Sequence, residues 1–362
     1  MEGMLLGRDN FIQTVVMAAR LVSVDDNLFS SAHVKIVATE DKVRSYCSGH
    51  DISVYAYVPC EKPVPGTYYF ARKALEAFAT KLTAEDIRIT KTGSTNVISA
   101  DQRIVEFDDP SKHSSFSVRP KSKLTNLDTL SETDAAILET IAGIARTSQY
   151  VGAEYHCVYA APAKEGSELF ASNELGLAWA RIEKNIPRPI AIPVALAKAA
   201  KFGNLLLSDT EVGIENYTCF YWCQSPLTAQ NSFPVEKCRA RLDREGEKLF
   251  EIDGKDMGAA VDLLERAFGA WETSSDAFLE LDGNNLTVRV RFPSTKFEEK
   301  LRVRGTGSKG LYRLPFREHA KMLPALSRQS ILRAYLIKGK TMDAVRFDGE
   351  DFKLLLPRYA NA

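Results

Sequence analysis

Neither sign of charge is in excess in this chain. Its 47 lysines and arginines balance 47 aspartates and glutamates, for a formal net charge of zero. That balance argues against a uniformly basic protein that coats nucleic acid, but it allows a basic face offset by an acidic one. Long apolar runs are missing too. No window approaches about eighteen consecutive apolar residues, and the opening MEGMLLGRDNFIQTVV has no charged segment followed by a long apolar run. Neither a signal peptide nor a membrane span is expected, and a cytoplasmic setting is. The six cysteines (Cys47, Cys60, Cys157, Cys219, Cys223 and Cys238) lack C-x-x-C spacing and read as reduced core thiols, not as a disulfide frame.

Catalytic and metal-binding patterns are equally sparse. The five histidines (His33, His50, His113, His156 and His319) show no H-E-x-x-H or H-x-H spacing. GTGSKG, residues 305–310, lacks the spacing of a phosphate loop and reads as a glycine-rich turn between strands. Cys219 and Cys223 have no second ligand pair near in sequence. The DGKD and DGNN tetrapeptides signal turns or caps, since neither continues into the spaced acidic ligands of a calcium loop. The expectation is a non-enzymatic protein with no cofactor and no metal.

What the chain does have is ordinary globular composition, 45% hydrophobic and 26% charged, over 362 residues. That length exceeds one ordinary core and calls for two or three domains. ARKALEAFATKL, residues 71–82, is an amphipathic helix: Ala71, Ala74, Leu75, Phe78 and Leu82 form one stripe, with Arg72, Lys73, Glu76, Thr80 and Lys81 opposite. A helix in DNFIQTVVMAARLVS, with Asp9 or Asn10 as its cap, and the strands HVKIVA, VRSYC and ISVYAYV precede it; DIRIT and RIVEF follow.

The order helix, strands, helix, strands then recurs. SETDAAILETIAGIARTS opens with an S-x-x-D variant of the capping box and leads through YHCVYAA, SELFAS and LGLAWARI to the helix PVALAKAAKF, then to NLLLSD, EVGIEN and TCFYWCQ. KDMGAAVDLLERAFGAW begins a third copy, with AFLELDG, LTVRVRF, FEEKLRVRG, the helix PFREHAKMLPAL, and ILRAYLIKG, AVRFDG and FKLLLP. The second helices begin at Ala71, Val194 and Phe316, intervals of 123 and 122 residues (194 − 71, 316 − 194). The first helices begin near Asp9, Asp134 and Asp256, intervals of 125 and 122. Two landmarks keeping one period mark a repeat of pattern. The polar stretches 108–126 and 239–249 read as connectors, which divides the chain into domains 1–118, 119–245 and 246–362. The fold class is therefore α+β, each domain packing two helices on one face of antiparallel sheets. Exposed sheet edges in such domains invite continuation by a second copy.

Three such units in this length resemble the bacterial DNA polymerase III beta subunit family, the beta sliding clamps. The ARK that opens the helix at Ala71, SGHDISVYAYV (48–58), FASNELGLAWARI (170–182), QNSFPVEKCRARL (230–242) and FKLLLPRYANA (352–362) each resemble a clamp segment, in the family's order. Glu174, Leu175 and Gly176 replace the family's G-H-R, and Val235 and Glu236 replace its Asp-Tyr after Phe-Pro. These departures point to a divergent clamp, such as one encoded by a phage.

The resemblance implies a head-to-tail homodimeric ring of DNA-clamp domains around double-stranded DNA. Its lining would hold Arg72, Lys73, Lys198, Lys201, Arg317 and Lys321 from the second helices, with Arg146, Gln149 and Tyr150 after the middle first helix. It also implies a cleft between the second and third domains for short linear motifs of a DNA polymerase and clamp loader, formed by Tyr155, Ser172, Leu177, Pro234, Leu354, Leu356 and Pro357. The dimer seam would involve Ile104 and Trp271. The expected function is polymerase processivity; the alternative is a ring or scaffold of the same fold with no polymerase to serve.

Overall fold

The structure, a computed structural model, describes residues 3–22, 28–49, 52–80, 82–108, 116, 120, 123–145, 156–173, 176–200, 203–208, 210–224, 233–270, 276–292, 295–306, 309–316 and 323–359. They gather into two compact units: Met1–Leu130 with Ala195–Ser225, and Ser131–Val194 with Pro226–Ala362.

In the first unit a helical run over residues 8–20 follows directly on strand Met4–Gly7, and its middle, Ile12–Met17, has wider i→i+5 turns. The run starts at Arg8 behind an extended Gly7 with no side-chain cap, not at Asp9 or Asn10. Phe11, Val15, Val16, Ala18 and Ala19 are buried, and Ser45 Oγ donates to the Thr14 carbonyl at 2.6 Å, fixing the run against the sheet. That sheet has eight strands in the order Gly66–Ala71, His33–Ala38, Val43–Ser48, Ser53–Val58, Cys219–Gln224, Glu211–Glu215, Asn204–Leu207 and Thr125–Thr129. Strands as far apart in sequence as Ser53–Val58 and Cys219–Gln224 pair antiparallel, with Tyr55 opposite Phe220. The strict burial alternation of HVKIVA is the period-two pattern that marked it as a half-buried strand. A separate four-stranded sheet runs Met4–Gly7, Asp86–Thr92, Thr95–Ala100, Arg103–Asp108.

The second unit repeats this plan. Its nine-stranded sheet runs Ile190–Pro193, Cys157–Pro162, Ser167–Asn173, Gly176–Ile182, Phe352–Pro357, Ala344–Asp348, Ile331–Ile337, Glu247–Asp253 and Arg304–Gly305. Its four-stranded sheet runs Lys296–Arg302, Asn285–Arg291, Asp276–Asp282 and Lys309–Leu314. Helix Glu132–Ala142 opens as its sequence indicates: the Ser131 hydroxyl accepts from the Asp134 N–H at 3.0 Å. The Asp134 carboxylate in turn accepts from Glu183 and Lys184 N–H at 3.0 and 2.9 Å, so one buried side chain holds the turn after strand Gly176–Ile182. Helix Gly254–Ala270 buries Met257, Ala260, Val261, Leu264 and Ala267 at helical spacing. The DGNN signal is a two-residue hairpin, Asp282 opposite Asn285, with Gly283 at φ 62° where only glycine is unstrained.

Two sequence readings need correction. The stretch 239–249 is no connector: helix Val235–Leu242 and strand Glu247–Asp253 run through it. Phe316 starts no described helix; it is fully buried, and the described helix is Leu323–Ser327.

Candidate partner and nucleic-acid surfaces

Helix Arg72–Ala79 buries Leu75 and Phe78, and Phe78 meets Phe11 of the first helical run edge-on, ring centroids 6.4 Å apart. Arg72 is buried along with them, 7% exposed. Its guanidinium donates to the Val22 carbonyl, to the Arg20 carbonyl at 3.4 Å and to Glu76 Oε1 at 3.1 Å. The end of one helical run is thereby tied to the start of another helix. A guanidinium with three such acceptors is a structural cross-link and cannot also face a duplex. Lys73, one residue on, is exposed.

The second surface lies in the second unit, on one face of strands Ser167–Asn173, Gly176–Ile182 and Phe352–Pro357. Opposite residues of an antiparallel pair share a face, so Ser172, Leu177 and Leu355 form one row and Phe170, Trp179 and Lys353 the next. Helix Val235–Leu242 lies on this face, where Phe170, Leu177, Trp179, Phe233, Cys238 and Leu242 make a buried cluster flanked by half-buried Tyr159, Val235 and Leu355. Phe233 stacks on Tyr159 at 5.2 Å. Polar groups fix the arrangement. The Trp179 indole N–H donates to Glu168 Oε1 at 3.0 Å, and Arg239 of the helix donates to the other Glu168 oxygen while lying over the Phe170 ring. At the helix end Arg346 donates to the Leu242 and Arg244 carbonyls, at 2.5 and 2.7 Å, and Lys353 pairs with Asp243 at 2.8 Å. Arg181 and Lys353 also stand over the Trp179 ring, at 5.8 and 5.5 Å, so cations rim an apolar patch.

No family model and no curated protein matches this chain. Solved structures do, end to end. The DNA polymerase III beta chain of Streptococcus pneumoniae superposes with a TM-score of 0.76 at 13% identity, covering 100% of both chains. The Thermotoga maritima beta subunit gives 0.75 at 11%, over 99% of this chain and 100% of its own. The Caulobacter crescentus DNA polymerase sliding clamp gives 0.73 at 14%, over 100% of both. The chain has the beta sliding clamp fold.

Within that clamp fold the expected residues separate. Lys73 keeps an exposed position, whereas Arg72 leaves the candidate DNA surface. Lys198 lies in helix Val194–Ala199, of which only its backbone is described. Arg146, Gln149, Tyr150, Tyr155, Lys201, Trp271, Arg317 and Lys321 fall outside the described residues. Of the expected cleft, Ser172 and Leu177 share the clustered face, with Pro234 exposed at the start of helix Val235–Leu242 and Pro357 half-buried at the end of its strand. Leu354 and Leu356 do not join them. Both are fully buried on the opposite face, against Phe347 and Val345, and Leu355 stands beside Leu177 instead.

Ile104 is 66% exposed on the edge strand Arg103–Asp108. Sequence reasoning missed Tyr159, Glu168, Trp179 and Lys353; the only available signal was their two-residue alternation along three apolar strands. Among the described residues no group of three or more His, Cys, Asp or Glu could hold a metal ion, and no helix is long and apolar enough to cross a membrane.

Proposed function

We propose that this protein is a DNA sliding clamp: a head-to-tail homodimer of three-domain chains, with domains 1–118, 119–245 and 246–362, that encircles duplex DNA and tethers a replicative polymerase. The observation that carries this reading is the likeness of fold to beta sliding clamps over the whole of both chains. Lys73, Lys198, Lys201, Arg317 and Lys321 attract the phosphates of the duplex. Arg146, Gln149 and Tyr150, which follow helix Glu132–Ala142 in sequence, add contacts. Screened, non-directional attraction holds the duplex without fixing its register, which permits sliding.

The patch around Leu177, Leu355, Trp179 and Pro234 receives short linear motifs of the polymerase and of the loader that opens the ring. Half-buried Tyr159, Val235 and Leu355 at the margin of the buried Leu177 and Trp179, rimmed by Arg181 and Lys353, suit a peptide that brings both apolar side chains and carboxylates. Ile104 and Trp271 contribute to the seam between copies.

The test is a charge reversal of Lys73, Lys198 and Lys201 to Glu, read as retention on circular DNA and polymerase processivity. Retention should fall with the fold and dimer intact. Unchanged retention overturns the DNA-facing assignment, and a ring that binds DNA but stimulates no polymerase supports the scaffold alternative.

A further inference from the structure

The nine-stranded sheet of the second unit carries a cavity on the face opposite the Leu177 and Trp179 cluster. Ala180 and Phe352, both in its lining, pair across strands Gly176–Ile182 and Phe352–Pro357. They alternate with Trp179 and Lys353, so they turn to the side on which helix Glu132–Ala142 packs. That helix has two stripes. Ala135, Leu138, Ile141 and Ala142 are buried. Glu132, Thr133, Ala136, Ile137 and Thr140, one turn apart in succession, form a flank along the cavity, whose volume is about 510 Å³. Ala136 and Ile137 are only half-buried, so this flank has an apolar floor with incomplete cover.

The facing wall is built by two turns that hold each other. Gln329 Nε2 donates to the Ala325 carbonyl at 3.1 Å, and Gln329 Oε1 accepts from the Glu350 N–H at 3.2 Å. Ser330 Oγ donates to Glu350 Oε2 at 3.3 Å. Gly349 permits this approach, since a Cβ there would collide with the Gln329 side chain. The charge at the mouth is uneven. Glu132, Glu350 and Asp351 are exposed there against one guanidinium, that of Arg328. Neither Glu132 nor Glu350 has an ion-pair partner among the described residues, and Asp351 reaches Arg181 only at 3.9 Å. The cluster on the other face is rimmed by Arg181 and Lys353, so the two faces of one sheet carry rims of opposite sign.

We propose that this cavity is a second peptide-binding site, for a segment that sets an aliphatic or aromatic side chain against Ala136 and Ile137 and a lysine or arginine beside it at Glu132 and Asp351. A cavity of this size takes a few side chains, and completing the cover of Ala136 and Ile137 supplies the attraction. Exposed carboxylates add little affinity, but they select the sign of the partner, because a segment bearing carboxylates of its own is repelled. A motif suited to the cation-rimmed cluster is therefore disfavoured here, and two partners of opposite charge can sit on the two faces at once. The site lies wholly in the second unit and does not depend on ring closure.

The probe is a fluorescein-labelled peptide, Gly-Lys-Leu-Phe-Lys-Gly, titrated by anisotropy against the full chain beside a control with both lysines replaced by glutamate. The lysine peptide should bind, and the glutamate peptide about tenfold more weakly or less. Ala136→Trp, which fills the cavity from a half-buried helix position, should weaken the lysine peptide about tenfold or more with the denaturation midpoint held. Glu132→Lys with Asp351→Lys should reverse the preference, so that the glutamate peptide gains affinity; a gain of binding also shows that this variant folds. Leu355→Asp, on the other face, should leave the lysine peptide's affinity unaltered. No binding of the lysine peptide at about 1 mM overturns the site, as does an unaltered affinity in Ala136→Trp or an unaltered preference in the charge-reversed variant. Loss of binding in Leu355→Asp overturns it too, by assigning the peptide to the cluster face.

Discussion

The Arg72 guanidinium donates to the Val22 carbonyl fifty residues away, closing the end of the first helical run onto the start of helix Arg72–Ala79. A buried arginine with three acceptors is costly to disturb, because removing it takes a donor from the buried Val22 carbonyl. Arg72→Ala should cost about 3 kcal/mol of stability, and Arg72→Lys should recover only part of it, since one ammonium cannot span the fork. Urea denaturation checks this. If Arg72→Lys is as stable as wild type yet binds DNA more weakly, Arg72 belongs to the DNA surface after all.

Leu354 and Leu355 are neighbours in sequence with opposite roles. Leu354 is fully buried in the sheet core, so Leu354→Ala should cost about 3 kcal/mol with unfolding at lower denaturant. Leu355 lies half-buried beside Leu177, and Leu355→Asp should leave the fold nearly intact while abolishing binding of a polymerase-derived peptide. Peptide binding by fluorescence anisotropy, beside a denaturation curve for each variant, separates the two. Peptide affinity unchanged in Leu355→Asp removes this face from the docking surface.

Burial pushes the Cys47 and Cys238 thiols up from an ordinary 9.0 to about 11. The folded state therefore holds their protons where the unfolded chain has begun to lose them. The stability they contribute is fully present below pH 9 and is lost as pH rises toward 11. Denaturation midpoints should fall across that window, and less steeply in a Cys47→Ala, Cys238→Ala variant. An equal slope in that variant contradicts the assignment.

The Asp134 carboxylate serves the turn at Glu183 and Lys184, while Ser131 caps the helix that carries it. Asp134→Ala should destabilise by about 2–3 kcal/mol and Ser131→Ala by about 1 kcal/mol. Hydrogen exchange at the Glu183 and Lys184 amides should rise strongly only in Asp134→Ala; equal protection in both variants would remove the turn-holding role.

Patterns fixed by a single element were legible in the sequence. HVKIVA alternates as a strand must, the S-x-x-D spacing of Ser131 and Asp134 marked the Ser131 cap, and the near-constant period of the helices pointed to repetition. Properties set by distant neighbours were not. Nothing local tells that Arg72 meets the carbonyls of residues 20 and 22, and a charged residue beside Lys73 on a basic helix face reads as exposed. In FKLLLP three leucines in a row hide which one faces the cluster, because apolar content on both faces erases the period-two signal. The helix Val235–Leu242 was obscured by its charges, although Val235, Cys238 and Leu242 lie three and seven residues apart, as one buried stripe requires.

The central claim is topological: a closed ring threaded by DNA. The direct measurement is gel filtration of the protein assembled from dilute chains in the presence of nicked circular plasmid, then washed in high salt, which strips electrostatic contacts but not a threaded ring. The account predicts that protein co-elutes with the circle after the wash and is released when a restriction enzyme linearises it. Loss in high salt from circle and linear DNA alike would contradict it.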